Sequence, residues 1–167
     1  MRISELLNPN AVLPTVEART KDDAILGVAT HLSSCYREIQ RDRLVVALLK
    51  RERLMSTALA DGVAIPHARL SGLSRTIAAF GRSRAGIDWD AQDGQPTHLF
   101  FVLVVPDDAQ SAHLKLLAAA SRLLHDPACR TRLMAASDEL LLPTLRSEED
   151  RVSLSSLRAP TPALARV

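Results

Sequence analysis

Hydrophobic positions along the chain change their period several times. Between residues 21 and 34, Ile25, Val28, Ala29 and Leu32 recur at three- and four-residue spacing, which places them on one face of a helix. Thr20 stands just before this run, with Asp23 three residues on, the arrangement of a capped helix start. A second helix is predicted from about Arg41 to Arg53, with Leu44, Ala47 and Leu48 as its apolar stripe. Arg51 continues that stripe, four residues after Ala47 and three after Leu48. An arginine in such a place needs an anionic partner or must turn its head out to water.

Residues Ser56 to Gly62 read as a loop, followed by the short apolar run Val63-Ala64-Ile65, which ends at Pro66 and His67. Ile77 to Phe80 predicts a strand, Ile87-Asp88-Trp89 a weaker one, and Asp93-Gly94-Gln95-Pro96 a turn. Leu99 to Val105 is apolar at every position, the mark of a central strand covered on both faces. From about Ser111 a third helix sets His113, Leu116, Leu117, Ala120 and Leu124 on one face. Short helices fit Pro127 to Ala136 and Asp138 to Leu145. After Ser147 the periodicity fades and Ser, Pro and Ala accumulate, so residues 147–167 are expected to form a flexible tail. Helices and strands interleave, which predicts an α/β fold: one domain over residues 1–146, a mixed sheet flanked by helices.

Composition supports a packed core and narrows the function. Of 167 residues, 47% are hydrophobic and 24% charged, which excludes wholesale disorder. The formal net charge is only +2, and aromatic residues make up 3%. Neither a strongly basic nucleic-acid surface nor a set of stacking platforms is expected. No run reaches the ~20 apolar residues of a membrane helix, and the N-terminal residues do not read as a signal peptide. Cys35 and Cys129 stand far apart without metal-ligand spacing. Two free thiols and a cytoplasmic location are expected, with neither metal nor cofactor.

Three polar side chains occupy positions where apolar ones are expected. His67 follows a strand and a proline, His113 lies on the apolar face of a helix in its first turn, and Arg51 ends another helix's stripe. An imidazole is a nucleophile, and an arginine beside helix-terminal amides can hold an oxyanion. Those are the parts of a phosphohistidine site. Each residue also has an ordinary reading: a surface histidine, a satisfied helix-start histidine, a snorkelling arginine. Patterning alone leaves both readings open. His31, His98 and His125 read as solvated.

The segments Arg51-Glu52-Arg53-Leu54-Met55-Ser56-Thr57 and Gly62-Val63-Ala64-Ile65-Pro66-His67 resemble the signature of enzyme IIA domains. These are the fructose/mannitol class of the phosphoenolpyruvate-dependent phosphotransferase system, and the likeness is greatest to their nitrogen-regulatory branch. It spans about residues 3 to 146 and includes Val104-Val105-Pro106 and His113-Leu114-x-x-Leu117. The resemblance implies that His67 accepts a phosphoryl group from an HPr-like carrier, with Arg51 and His113 at the two supporting positions. Ser56, Thr57 and Pro66 are expected to orient the site. It further implies regulation of protein targets by phosphorylation state, such as potassium-transport components or sensor kinases. Delivery of phosphate to a separate IIB partner during fructose or mannitol uptake is the alternative. No IIB-like cysteine motif or IIC-like membrane span is visible, so sugar phosphorylation by this chain alone is not expected. Ala58, Leu59, Ala60 and Ala68 stand where family members commonly carry glycine, which bears on the loop geometry. Leu54, Met55 and Leu59 are candidates for a docking patch, or simply for the core.

Overall fold

The structure, a computed structural model, describes residues 2–158, the side chains of 110, 111 and 156–158 excepted. After a short 3-10 turn at Ile3–Leu6 the elements run β1 (Leu7–Leu13), α1 (Lys21–Cys35), α2 (Arg41–Leu54), β2 (Val63–Ala64), β3 (His67–Arg69), β4 (Ile77–Ile87), β5 (Thr97–Val105), α3 (Gln110–His125), α4 (Pro127–Ala135) and α5 (Leu141–Arg158). The sheet order is β1-β4-β5-β2, with β3 also on β5. β4 and β5 are antiparallel, whereas β1 joins β4 and both β2 and β3 join β5 in parallel.

Strand β5 shows why the sheet has two helical layers. Its alternate residues Phe100, Val102 and Val104 enter a core that contains Ile25, Leu32, Leu44 and Leu48 of α1 and α2. The intervening Leu99, Phe101, Leu103 and Val105 enter a second core with Leu116, Leu124, Leu133 and Leu145 of α3, α4 and α5. A strand with period-two side chains can be apolar throughout only if both faces are covered. Gly81 of β4 leaves room for one of these rings: a Cβ there would lie 2.1 Å from the Phe100 ring.

Helix α1 begins as its sequence predicts. The Thr20 hydroxyl oxygen accepts from the Asp23 amide and donates to the Asp23 carboxylate, which satisfies an otherwise unpaired helix-start amide. Strand β1 is absent from the sequence pattern because Asn8-Pro9-Asn10 reads as a turn. Pro9 is tolerated because β1 is an edge strand with a register shift between Leu7 and Val12. The weak strand expected at 87–89 is no separate element: Ile87 ends β4, and Asp88 makes an isolated bridge to Thr20.

The C-terminal expectations need correction. The short helix expected at 138–145 is the opening of α5, which starts at Leu141 and continues to Arg158. Residues 147–158 are therefore helical rather than a flexible tail; the rest of that expectation, on 159–167, lies outside the described residues. What holds the helix past residue 147 is buried charge. Glu149, 7% exposed, accepts from the Ile3 and Ser4 amides at 2.6 and 3.1 Å, while buried Glu148 pairs with Arg132 and Arg151. Glu149 reaches the Ser4 amide across 145 residues of chain, a contact that no hydrophobic period announces.

Candidate active site

The break between β2 and β3 is where the chemistry gathers. Pro66 has no N–H and cannot donate to a ladder. Its carbonyl instead accepts from Leu103 of β5 at 2.9 Å, while the Ile65 amide turns outward to the Thr57 carbonyl at 3.0 Å. Strand β2 is thus flanked by β5 on one side and by residues 57–59 on the other, where Leu59 also donates to Val63. The chain reverses between them through Asp61 and Gly62, both at positive φ (64° and 78°). Ala58, Leu59, Ala60 and Ala68 have no positive φ, so the side chains that replace glycine there meet no backbone strain.

His67 opens β3 at the sheet edge, and its ring is held at both nitrogens. Nδ1 lies 2.7 Å from the Ile65 carbonyl and Nε2 lies 2.9 Å from Arg51 Nε. A carbonyl can only accept and a guanidinium can only donate. The ring is therefore neutral, with the proton on Nδ1 and a lone pair on Nε2. Burial holds its pKa below the usual histidine value; the Ile65 carbonyl raises it, the Arg51 charge lowers it further and Glu52 opposes that. Desolvation outweighs the carboxylate.

Arg51 comes from the last turn of α2, where its Nη1 also donates to the Met55 carbonyl at 2.9 Å. That second bond fixes the guanidinium at a helix end, where cations are favoured. His113 reaches the site from the first turn of α3, on the opposite face of the sheet. Its ring centroid is 5.1 Å from that of His67, tilted by 53°. It is 7% exposed and its Nδ1 has no hydrogen-bond partner among the described residues. Burial lowers its pKa, and neighbouring His67, Arg69 and Arg51 likewise disfavour an added proton there. Arg51, His67 and His113 thus meet at one end of the sheet, brought together from residues far apart in sequence.

The Ser56-Thr57 pair lies one layer behind the ring. Ser56 Oγ donates to the Trp89 carbonyl at 3.0 Å and accepts from the Ala58 amide. Thr57 is buried and turns its hydroxyl to Glu52 at 2.5 Å, and its amide lies 3.1 Å from both carboxylate oxygens. A relay of hydrogen bonds results. Glu52 holds Thr57, the Thr57 carbonyl holds Ile65, and the Ile65 carbonyl holds His67 Nδ1. Glu52, only 3% exposed, has no counterpart among the residues singled out from sequence. Its signal was an acid in the last turn of a helix, where the macrodipole disfavours one, five residues before the threonine it binds. Lys21 at 3.8 Å is its cationic neighbour.

A groove of about 850 Å³ opens beside the ring, lined by both histidines, Arg51, Lys50, Arg69 and Leu54 among others. Leu54, Met55 and Leu59 are exposed rather than core. Cys35 and Cys129 are free thiols, the latter buried with its pKa pushed up to about 12, so it is inert at neutral pH. His31 and His98 are not simply solvated, because one nitrogen of each ring meets a carbonyl: His31 Nε2 that of Asn10 and His98 Nδ1 that of Ser83. His125 is exposed. Among the described residues no helix is long and apolar enough to cross a membrane.

Comparison with known proteins adds an independent line. Residues 5–145 match the family model described as "Phosphoenolpyruvate-dependent sugar phosphotransferase system, EIIA 2". The chain is 38% identical over 138 residues to a nitrogen regulatory protein of Bradyrhizobium diazoefficiens, covering 83% of this chain and 90% of that one. It is 32% identical over 151 residues to the fructose-specific EIIABC component of Bacillus subtilis, covering 90% of this chain but only 24% of that longer protein. The crystal structure of the nitrogen regulatory protein IIA-Ntr from Neisseria meningitidis superposes with a TM-score of 0.79 at 32% identity, covering 86% of this chain and 98% of that one. A full-domain family match, relatives above 30% identity and a shared mixed sheet flanked by helices all agree. The chain belongs to the EIIA type 2 family of the phosphoenolpyruvate-dependent sugar phosphotransferase system.

Proposed function

We propose that this protein is a cytoplasmic phosphocarrier that accepts a phosphoryl group on His67 Nε2 from the phosphohistidine of an HPr-like protein and controls protein targets through its phosphorylation state. The observation that carries this reading is the ring held as the Nδ1–H tautomer, its Nε2 lone pair 2.9 Å from a guanidinium. In the transfer, the Nε2 lone pair forms the new N–P bond as the donor's N–P bond breaks, and the donor ring keeps the electron pair of that bond. Arg51 gives up its hydrogen bond to Nε2 and donates to a phosphoryl oxygen, meeting charge where it develops. The Ile65 carbonyl stabilises the positive charge that His67 gains at Nδ1–H. His113, neutral and close to the ring, supplies a polar partner for the phosphoryl group. The N-terminus of α3, which has no side-chain cap, adds a favourable dipole. Holding the acceptor in a single tautomer and orientation removes entropy from the barrier before the donor arrives.

Phosphate on His67 adds about −2 charge to this face, enough to make or break a protein contact. The similarity to nitrogen regulatory proteins over most of their length supports regulation as the purpose, with potassium-transport components or sensor kinases as the kind of target. Incubation with phosphoenolpyruvate, enzyme I and the HPr-like carrier should yield acid-labile phosphate on His67 and none on His67→Ala. Labelling of that variant, or none of the wild type, refutes the reading. The similarity to a fructose-specific EIIABC component supports a second reading, delivery to a IIB partner. Onward transfer to an added IIB component and then to sugar would favour it.

A further inference from the structure

Away from the groove at His67, helix α1 aims two metal-ligating side chains at one point on the edge strand. His31 and Cys35 stand four residues apart, a spacing that matches no loop-type metal motif but puts both on the same face of a helix. His31 Nε2 lies 2.5 Å from the Asn10 carbonyl oxygen of β1, and Cys35 Sγ donates to the same oxygen at 3.4 Å. The carbonyl only accepts, so the imidazole carries its proton on Nε2. Nitrogen, sulfur and oxygen therefore converge, with two protons between them. Both side chains are only partly buried, and a groove of about 430 Å³ opens beside His31. Its lining includes Glu17 and Asp23 but no lysine or arginine, and it shares no residue with the groove at His67. Nothing in that lining repels an arriving cation.

We propose that His31 Nε2, Cys35 Sγ and the Asn10 carbonyl oxygen bind one zinc-class divalent cation, with water completing a tetrahedral set. Imidazole and thiolate are the ligands such a borderline-soft ion prefers. Zinc lies about 2.0–2.3 Å from nitrogen, oxygen and sulfur ligands. The sulfur–oxygen distance already suits a shared ion, and the imidazole has to swing back from the carbonyl by roughly 1 Å. On binding, the thiol proton passes to solvent while the ring exchanges its Nε2 proton for one at Nδ1, so one proton is released per ion. The same two donors serve the fold: β1 slips register between Leu7 and Val12, and they satisfy a carbonyl in the slipped stretch.

The test is titration of the reduced full chain with cobalt(II), whose bond to a thiolate gives a charge-transfer absorption. The band should saturate at one cobalt per chain and be absent in Cys35→Ser. His31→Gln should need about 10-fold more cobalt or higher, since even a partner behind a ligand is worth that much. Both variants keep a donor for the Asn10 carbonyl and with it the fold. His67→Ala should leave the titration unchanged, because the imidazoles of the candidate active site take no part. Excess zinc should slow alkylation of Cys35 by iodoacetamide about 10-fold or more. Buried Cys129, its thiol pushed up to about 12, gives no background. Absence of the band, its survival in Cys35→Ser, a wild-type midpoint in His31→Gln or a midpoint moved by His67→Ala overturns the proposal, as does alkylation of Cys35 that is indifferent to zinc.

Discussion

Arg51 and His67 share one hydrogen bond, 2.9 Å from Nε to Nε2, in which the guanidinium occupies the lone pair proposed as the nucleophile. The contact has two consequences: it fixes the tautomer, and it stations the cation where a phosphoryl group would arrive. Arg51→Ala should therefore slow phosphoryl acceptance about 100- to 1,000-fold. Arg51→Lys should recover little of it, because a point charge cannot reproduce the planar fork that bonds Nε2 and the Met55 carbonyl together. Quench-flow with the phosphorylated carrier measures both; a wild-type rate in Arg51→Ala would remove Arg51 from the reaction.

Acceptance should also depend on pH. His67 is held below its ordinary value of 6.5 chiefly by burial, so the neutral, nucleophilic ring persists to lower pH than in a free histidine. Acceptance should be constant near neutrality and fall only as pH drops through the lowered native value. Stability follows the same sign. The unfolded ring binds a proton first, so the contribution is complete above about pH 6.5 and is lost as pH falls through the folded value. Histidine NMR titration paired with acid unfolding checks both, and a His67 pKa at or above 6.5 would contradict them.

His113→Phe should separate chemistry from packing. The ring volume is nearly kept, and a buried Nδ1 with no partner is removed. Unfolding free energy should change by less than about 1 kcal/mol or rise, while acceptance slows about 10-fold or more. A large loss of stability in denaturant melts would mean that the imidazole is a structural member.

Glu52→Ala should be costly in a different way. It leaves the Thr57 amide and hydroxyl unpaired in a buried place, and about 3 kcal/mol of stability should be lost. The milder Thr57→Val should keep the fold within about 2 kcal/mol while loosening the Ile65 carbonyl from which His67 takes its tautomer. Nitrogen chemical shifts of the His67 ring should then report a mixture of tautomers; an unchanged Nδ1–H signature would show that the relay ends at Thr57.

Deleting residues 147–167 should destabilise the domain. The deletion removes Glu149, which accepts the Ile3 and Ser4 amides, and Glu148, which anchors Arg132. Glu149→Ala alone should cost about 2–3 kcal/mol, read from the midpoint of urea unfolding. A truncated chain as stable as the full one would mean that the last turns of α5 hang free.

Much of this architecture is legible in the amino-acid order, and the omissions have physical causes. The Thr20 cap and the unbroken run at Leu99 to Val105 are local signals of helix start and doubly covered strand, and both appear where they are read. Arg51 and His113 attract notice because each interrupts an apolar stripe, and the fold does bring them to His67. Strand β3 is three residues long, too short for a period. Glu52 sits among charged neighbours in Lys50-Arg51-Glu52-Arg53, where an acid looks like part of a solvated face. Arg82 is similar: fully buried, it donates to the carbonyls of Pro14, Leu133 and Ala136 and to Asp138, long-range contacts that no local pattern encodes.

Because Arg51 descends from one helical layer and His113 from the other, the cradle around His67 exists only while both layers are seated on the sheet. A molecule whose layers have loosened still carries the imidazole, yet it has lost the guanidinium on one side or the second ring on the other. If His67 accepts a phosphoryl group as proposed, its receipt would double as an inspection of tertiary integrity: damaged copies would stay unmarked, and only sound ones would carry the mark.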